Sequence, residues 1–374
     1  MHQFSREELH PWLVLNLVPG LGPRLTEALV KSFGSPQLVL KASPEALAQV
    51  QHISLDLAHK LHDAFRRVSP DGEFQAMEQY GARALLLGQP GYPAALATIH
   101  DPPHLLYLRG DFREEDSRAV ALVGSRSCTG YGKRLARQIA SSLARAGWTI
   151  VSGLARGIDA ECHRAALDAK GRTLAVLAGG LSSIYPPEHQ ELAEEICQNG
   201  AILAETPMKQ PPLAGMFPAR NRIISGLSKA VVLVEAAEKS GALVTATHAA
   251  EQGRTVMAVP GPVDSPSSGG THALIRKGAI LVRNADDVLE ELGSFSFQTG
   301  KTTDPARETP QQELPPGLTP EETAICTALK TGALSMDHLV NLAQVGVGPL
   351  TGILLGLEMK RLVRRLPGSR FELR

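Results

Sequence analysis

Five loops in the middle of the chain collect residue types that bind anions. The first runs Gly124-Ser125-Arg126-Ser127-Cys128-Thr129-Gly130-Tyr131-Gly132. Small side chains there let backbone N–H groups approach a phosphate, and a following helix turns its positive N-terminus toward it. Arg126 adds a fixed, fork-shaped cation that suits a phosphodiester. The second loop is Gly153-Leu154-Ala155-Arg156-Gly157-Ile158-Asp159. Its glycines permit a tight turn, Arg156 offers another phosphate contact, and Asp159 is expected to cap the next helix. The third carries Gly179-Gly180 and then Tyr185-Pro186-Pro187. Tyr185 has the shape to stack on a base, although packing inside the protein is the simpler expectation.

The fourth segment, Phe217-Pro218-Ala219-Arg220-Asn221-Arg222-Ile223-Ile224-Ser225-Gly226, is the most informative. No acid occurs from Thr206 to Val234, whereas Lys209, Arg220, Arg222 and Lys229 all do. Beside this basic patch stands Phe217, in a chain where aromatics make up only 4% of residues. A base stacked on an aromatic ring gains roughly 1–3 kcal/mol whatever the sequence. The competing reading puts Phe217 in the core and the arginines on a solvated helix. The fifth loop, 235–245, opens a helix with Ser240 and Gly241 and offers backbone N–H groups and the Thr245 hydroxyl to a phosphate. Glu235 and Glu238 are the best-placed acids for proton transfer, with capping and surface charge as their plainer roles.

Several chemistries lack their signatures. Ser125-Arg126 does not supply the second glycine of a dinucleotide fingerprint, and Thr129 replaces the second glycine of a Walker A loop. His248 and His272 have no partners at metal-ligand spacing. No Gly-x-Ser-x-Gly elbow is present. No cofactor or metal is therefore expected.

The elements that would hold these loops alternate along residues 82–293. Short apolar runs at 119–123, 149–152, 173–177, 202–204, 230–235 and 255–259 are expected as strands, with helices at 133–146 and 242–252 between them. Near-continuous apolar strands alternating with helices predict an α/β fold, a Rossmann-like parallel sheet covered on both faces. Segments 85–87 and 105–108 are expected to extend it. In such a sheet ligands bind beyond the carboxyl ends of the strands, where all five loops lie.

Residues 1–80 are expected to form a separate helical domain. Pro19-Gly20-Leu21-Gly22 precedes a helix, and a second helix spans 54–68, the pattern of a helix-hairpin-helix unit. It fits phosphate contact or simple packing equally. Residues 294–316, rich in Ser, Thr, Pro and Gln, form a linker. Residues 317–374 are expected as a winged helix, with helices at 320–330, 335–343 and 349–360 and two strands around Pro367-Gly368-Ser369. Its end carries Lys360, Arg361, Arg364, Arg365, Arg370 and Arg374 against one acid, Glu372. Such a wing suits DNA or a protein partner.

The 374 residues exceed one ordinary core, so two or three domains are expected. Lysine plus arginine equal aspartate plus glutamate at 38 each, which argues against a wholly basic DNA-coating protein but leaves room for a local groove. Cys128, Cys162, Cys197 and Cys326 form no C-x-x-C pair and are expected as free thiols in a reducing compartment. No apolar run reaches the ~18 residues of a membrane span. The cytoplasm is the expected location.

Taken together, the stretches AVALVGSRSCTGYG, TIVSGLARGIDAECHRAAL, AVLAGGLSSIYPPEH, FPARNRIISGLSKAVVLVEAAEKSGALVTATHAAEQGR and VMAVPGPVDSPSSGGTHALIRKGA resemble the DNA-processing protein A (DprA/Smf) family. The resemblance implies an N-terminal sterile-alpha-motif-like domain, an extended Rossmann domain and a C-terminal winged helix. It implies binding of incoming single-stranded DNA in natural transformation, loading of the RecA recombinase where single-strand-binding protein would block it, and a homodimer formed through the Rossmann domain. It places Ser125, Arg126, Phe217, Arg220, Asn221 and Arg222 in the strand-binding pocket, joined by Gly153, Ser240, Gly241 and Thr245. Gly124, Arg156 and Lys229 are added from the loop chemistry above. The other reading is an enzyme, a nucleotide phosphoribohydrolase of similar architecture. Those enzymes use a PGGxGTxxE loop, whereas this chain has Glu-Lys-Ser-Gly-Ala-Leu-Val-Thr at 238–245. A third reading is a scaffold acting on duplex DNA through the winged helix.

Overall fold

The computed structural model describes residues 4–293, 319–329, 334–336, 339–340, 346–360, 362–366 and 370–373. The chain divides into two units, 1–299 and 300–374. The expected linker at 294–316 lies outside the described residues, as does most of the helix expected at 335–343.

In the first unit a nine-stranded sheet runs in the order β1-β2-β6-β5-β4-β3-β7-β8-β9. The strands are β1 (Ala82–Leu86), β2 (Leu105–Gly110), β3 (Ala119–Gly124), β4 (Thr149–Ser152), β5 (Thr173–Val176), β6 (Gly200–Ala204), β7 (Ala230–Glu235), β8 (Thr255–Ala258) and β9 (Ile280–Leu281). Pairing from β6 through β3 to β9 is parallel. The two expected extensions, β1 and β2, join at one edge as antiparallel strands. The central strands are buried along their lengths, which is why they read as unbroken apolar runs.

Each face of the sheet is covered. Against one lie α8 (Gly130–Arg145), α9 (Ile158–Asp168), α10 (Gln190–Asn199) and α14 (Ala285–Glu291). Against the other lie α7 (Ala94–Ala97), α11 (Met216–Gly226) and α12 (Ala242–Glu251), with Leu274 of α13 (Gly269–Arg276) at the margin. From β3 the chain winds outward through β4, β5 and β6, then returns to the other side of β3 as β7. The β3–β7 boundary is therefore the topological switch point, the place where an open α/β sheet leaves a crevice above its carboxyl edge.

Among the described residues six helices precede the sheet: α1 (Arg6–Leu17), α2 (Pro23–Phe33), α3 (Pro36–Lys41), α4 (Pro44–Leu47), α5 (Leu55–Arg67) and α6 (Asp71–Gln79). Ser5, Ser35, Ser43 and Ser54 each accept a backbone N–H at a helix start. Most of these helices surround a core of their own. The region is not as self-contained as its sequence implied. Leu9 and Leu13 of α1 and Ala76 and Met77 of α6 pack into a core shared with Tyr107 and Leu105 of β2. Polar contacts lock this seam: the Tyr107 hydroxyl donates to the half-buried Asn16 Oδ1 at 3.1 Å, and Met208 N–H donates to the buried Glu73 Oε1 at 2.6 Å.

The second unit holds α15 (Pro320–Leu329), α16 (Val347–Met359) and a three-stranded sheet in the order β10-β12-β11, formed by Leu334–Ser335, Arg370–Leu373 and Val363–Leu366. Its core joins Ile325, Leu329, Leu350, Leu354 and Phe371. Helices followed by a hairpin match the winged-helix expectation.

Candidate nucleic-acid interface

A cleft of about 600 Å³ opens at the switch point. The end of β3 supplies Gly124, and the loop after it supplies Ser125, Arg126 and Ser127. Helix α11 supplies Phe217, Arg220 and Asn221, and the segment leading into α12 supplies Lys239, Ser240 and Gly241. Thr245, buried, closes the floor. Nine of the thirteen residues expected at the site line this cleft. Gly153 and Arg156 line a smaller notch beside it with Arg126, Tyr185 and Phe217.

Ser125 is the pivot of the first loop. Its N–H donates to Glu235 O at 2.8 Å, and its carbonyl accepts Ile158 N–H at 3.1 Å. The ends of β3 and β7 and the start of α9 thus fix one another. Gly157, at φ +75°, is required here, because a Cβ would collide with the carbonyl oxygen of Ser125. The Ser125 hydroxyl accepts Ser127 N–H at 3.2 Å. Arg126 is left exposed, its guanidinium carbon 4.9 Å from the centroid of the Phe217 ring. Tyr185 meets the same ring edge-on, with centroids 5.9 Å apart. The expectation of a packed Tyr185 is overturned: it is 44% exposed.

The arginines of α11 depart from the expected basic patch. Arg220 lies beneath the cleft, 7% exposed, and its Nη1 donates to the carbonyls of Gly153 (2.8 Å) and Val176, stapling the carboxyl ends of β4 and β5. A Cβ on Gly153 would sit 2.5 Å from that nitrogen, so the glycine leaves room for the guanidinium. Burial pulls the Arg220 pKa down to about 10, with Asp159 acting the other way, so Arg220 stays cationic at neutral pH under the cleft floor. Asp159 does not cap its helix as expected. Its carboxylate instead accepts Gly153 N–H at 3.1 Å and Ala155 N–H at 3.4 Å, and burial raises its pKa.

Arg222 does not face the cleft. Its Nη2 donates to both Glu205 oxygens at 2.7 and 2.8 Å, and its Nε lies 3.4 Å from Asp101. An acid just upstream of the acid-free stretch thus claims it. Lys229 is exposed but stands at the amino end of β7, where its N–H donates to Ala119 O. At ~3.3 Å per residue, a six-residue strand puts it about 17–20 Å from the carboxyl edge. Arg156 is exposed and paired with Glu188 at 2.5 Å. Lys239, absent from the expected site residues, is an exposed cation on the cleft wall. Its signal was its place in the loop after a switch-point strand.

The first hairpin, Pro19 to Gly22, lines a separate cleft of about 550 Å³ with Trp12, His104 and Glu205. The basic tail of the winged helix lies mostly outside the residues whose side chains are described. Among the described residues no group of acidic, histidine and cysteine side chains could hold a metal ion. No described helix is long and apolar enough to cross a membrane.

Comparison with known proteins gives this architecture a family. Residues 83–293 match the model of DNA recombination-mediator protein A, 308–369 the DprA winged helix domain, and 13–67 a SAM-like helix-hairpin-helix tandem. Protein Smf of Synechocystis is 35% identical over 97% of this chain and 98% of its own. The DNA processing protein DprA of Bacillus subtilis is 44% identical over 60% of this chain and 75% of its own. The crystal structure of DNA processing protein A from Streptococcus pneumoniae superposes with a TM-score of 0.67 at 30% identity, covering 78% of this chain and 99% of that one. A structure of the Helicobacter pylori protein, described for its single-stranded DNA binding mode, gives 0.53 at 32% identity over 58% of this chain and 97% of its own. With a nine-stranded sheet bearing these loops, a helix-hairpin-helix region before it and a winged helix after it, the chain belongs to the DNA recombination-mediator protein A (DprA/Smf) family.

Proposed function

We propose that the switch-point cleft binds single-stranded DNA without sequence preference, and that the protein is a recombination mediator rather than an enzyme. One observation carries the reading: the exposed Arg126 guanidinium lies against the Phe217 ring at the mouth of the cleft. A cation for phosphate and flat surfaces for bases are what a single strand needs from its receptor. The Helicobacter pylori relative, described as binding single-stranded DNA, supports it. Within this proposal the strand is incoming or exposed DNA in the cytoplasm, and the protein loads RecA onto it past single-strand-binding protein. The protein acts as a homodimer joined through its Rossmann domain.

The enzymatic alternative has weaker support. Glu235 is 4% exposed, with both carboxylate oxygens held by Thr129, so it is committed as an acceptor. Glu238 is exposed and does not line the cleft. The test is a gel-shift series with oligothymidylate and duplex DNA, on the parent and Arg126→Ala. The parent is expected to prefer the single strand. The variant is expected to bind more weakly, with a salt dependence shallower by ~0.7 in log–log slope. Equal binding by both proteins overturns the site.

A further inference from the structure

The strand-binding role makes no use of a buried carboxylate at the centre of the loop cluster. Glu235 ends β7 and points at the start of α8, the first helix after the switch-point strand β3. Its Oε1 accepts Thr129 N–H at 3.0 Å, and its Oε2 accepts the Thr129 hydroxyl at 2.5 Å. That hydroxyl in turn accepts Gly132 N–H at 3.1 Å. A Cβ on Gly132 would lie 2.5 Å from Oε2, so the carboxylate occupies space that any other residue at 132 would take.

The start of this helix is where α/β folds that bind nucleotides seat a phosphate, on free N–H groups and the positive end of the helix dipole. Here three of the donors that would face such an anion, Thr129 N–H, Thr129 O–H and Gly132 N–H, are already engaged, and a carboxylate sits among them. We propose that Glu235 is a specificity-determining residue: an internal anion that fills the terminal-phosphate place at α8, so that the cleft admits a polynucleotide backbone and rejects free nucleotides. The inference rests on reading the cleft as a polynucleotide site. A phosphate monoester carries about −1.5 to −2 charges near neutral pH. A phosphodiester carries one, and the cations Arg126 and Lys239 line the cleft that would receive it. The rejection thus combines occupied space with like charge.

The test titrates pyrophosphate and adenosine monophosphate into the parent, Glu235→Ala and Glu235→Gln, reading melting temperature and calorimetric binding. The parent is expected to show no saturable binding at millimolar concentrations. Glu235→Ala, with both the charge and the volume gone, is expected to bind pyrophosphate at least tenfold more tightly than the parent. Glu235→Gln, which keeps the volume, is expected to gain little. A folded Glu235→Ala with no gain overturns the proposal, as does a parent that binds these anions equally well. Should the alanine variant fail to fold, amide resonances of Thr129 and Gly132 in the parent decide it. They are expected to stay fixed under pyrophosphate, and a saturating shift overturns the proposal. Oligothymidylate binding by the parent is scored separately. Its absence, with pyrophosphate gained by Glu235→Ala, would refute the strand-binding reading and leave the occupancy of the α8 site standing.

Discussion

The guanidinium carbon of Arg126 lies 4.9 Å from the centre of the Phe217 ring, although 91 positions separate the two residues in sequence. Their contact pairs the phosphate-seeking and base-seeking parts of the cleft in one unit. Phe217→Ala is therefore expected to weaken oligothymidylate binding by about 1–3 kcal/mol, roughly 5- to 150-fold. Combined with Arg126→Ala, the loss should be smaller than the sum, because each residue positions the other. Fluorescence anisotropy on the four proteins of the double-mutant cycle checks this. Full additivity would mean that the pair acts as two independent contacts.

Arg222 is expected to behave as a structural residue. Arg222 is buried but Glu205 and Asp101 are partly exposed. Arg222→Met, which leaves both acids without their cation, is therefore expected to cost less than the ~3–5 kcal/mol of breaking a fully buried ion pair. Arg222→Lys should recover only part of this, since an ammonium cannot copy the two-pronged contact with Glu205. Urea unfolding measures the loss. At temperatures where Arg222→Met stays folded, the salt slope of strand binding should match that of the parent. A slope reduced as in Arg126→Ala would place Arg222 in the interface.

His163 makes stability depend on pH. It is fully buried, its Nδ1 lies 2.7 Å from the Thr173 hydroxyl, and its Nε2 has no partner. Burial lowers its pKa from 6.5 to about 3. Between those values the unfolded chain binds the extra proton, so this contribution is complete above pH 6.5 and declines as pH falls toward 3. The decline is roughly 1.4 kcal/mol per pH unit. Asp159 and Glu205, whose pKa values burial raises, contribute slopes of the opposite sign in acid. The difference between the parent and His163→Asn isolates the histidine: the variant should lose less stability between pH 6.5 and 4.5. Parallel curves from urea unfolding across that range would refute the assignment.

Gly157→Ala tests the join between the loops after β3 and β4. A methyl group there meets the carbonyl of Ser125, and the backbone is already in the left-handed region. Strain of ~1–3 kcal/mol is expected. Because the clash pushes on the residue before Arg126, strand affinity should drop along with melting temperature. A variant with parental stability and affinity would show that the two loops move independently.

What was legible in the sequence was whatever local pattern encodes. Unbroken apolar runs marked the strands of a sheet covered on both faces, and glycine-rich stretches after them marked the loops at its carboxyl edge. Order along the chain thus brought Gly124, Ser125, Arg126, Ser240 and Gly241 to one end of the sheet. Side-chain fate was not encoded that way. Arg220 and Arg222 sit two residues apart on one helix, yet one staples β4 and β5 while the other is claimed by Glu205 and Asp101. Lys229 belongs to the same acid-free stretch and emerges at the far edge of the sheet. Tyr185 stays exposed while meeting Phe217 edge-on, and Leu9 and Leu13 of α1 and Ala76 and Met77 of α6 pack with β2 rather than within the helical region alone. Each outcome depends on which surface a helix buries and on partners distant in sequence. Only tertiary packing decides these, because the cost of leaving a charge without a partner is set where the chain closes around it.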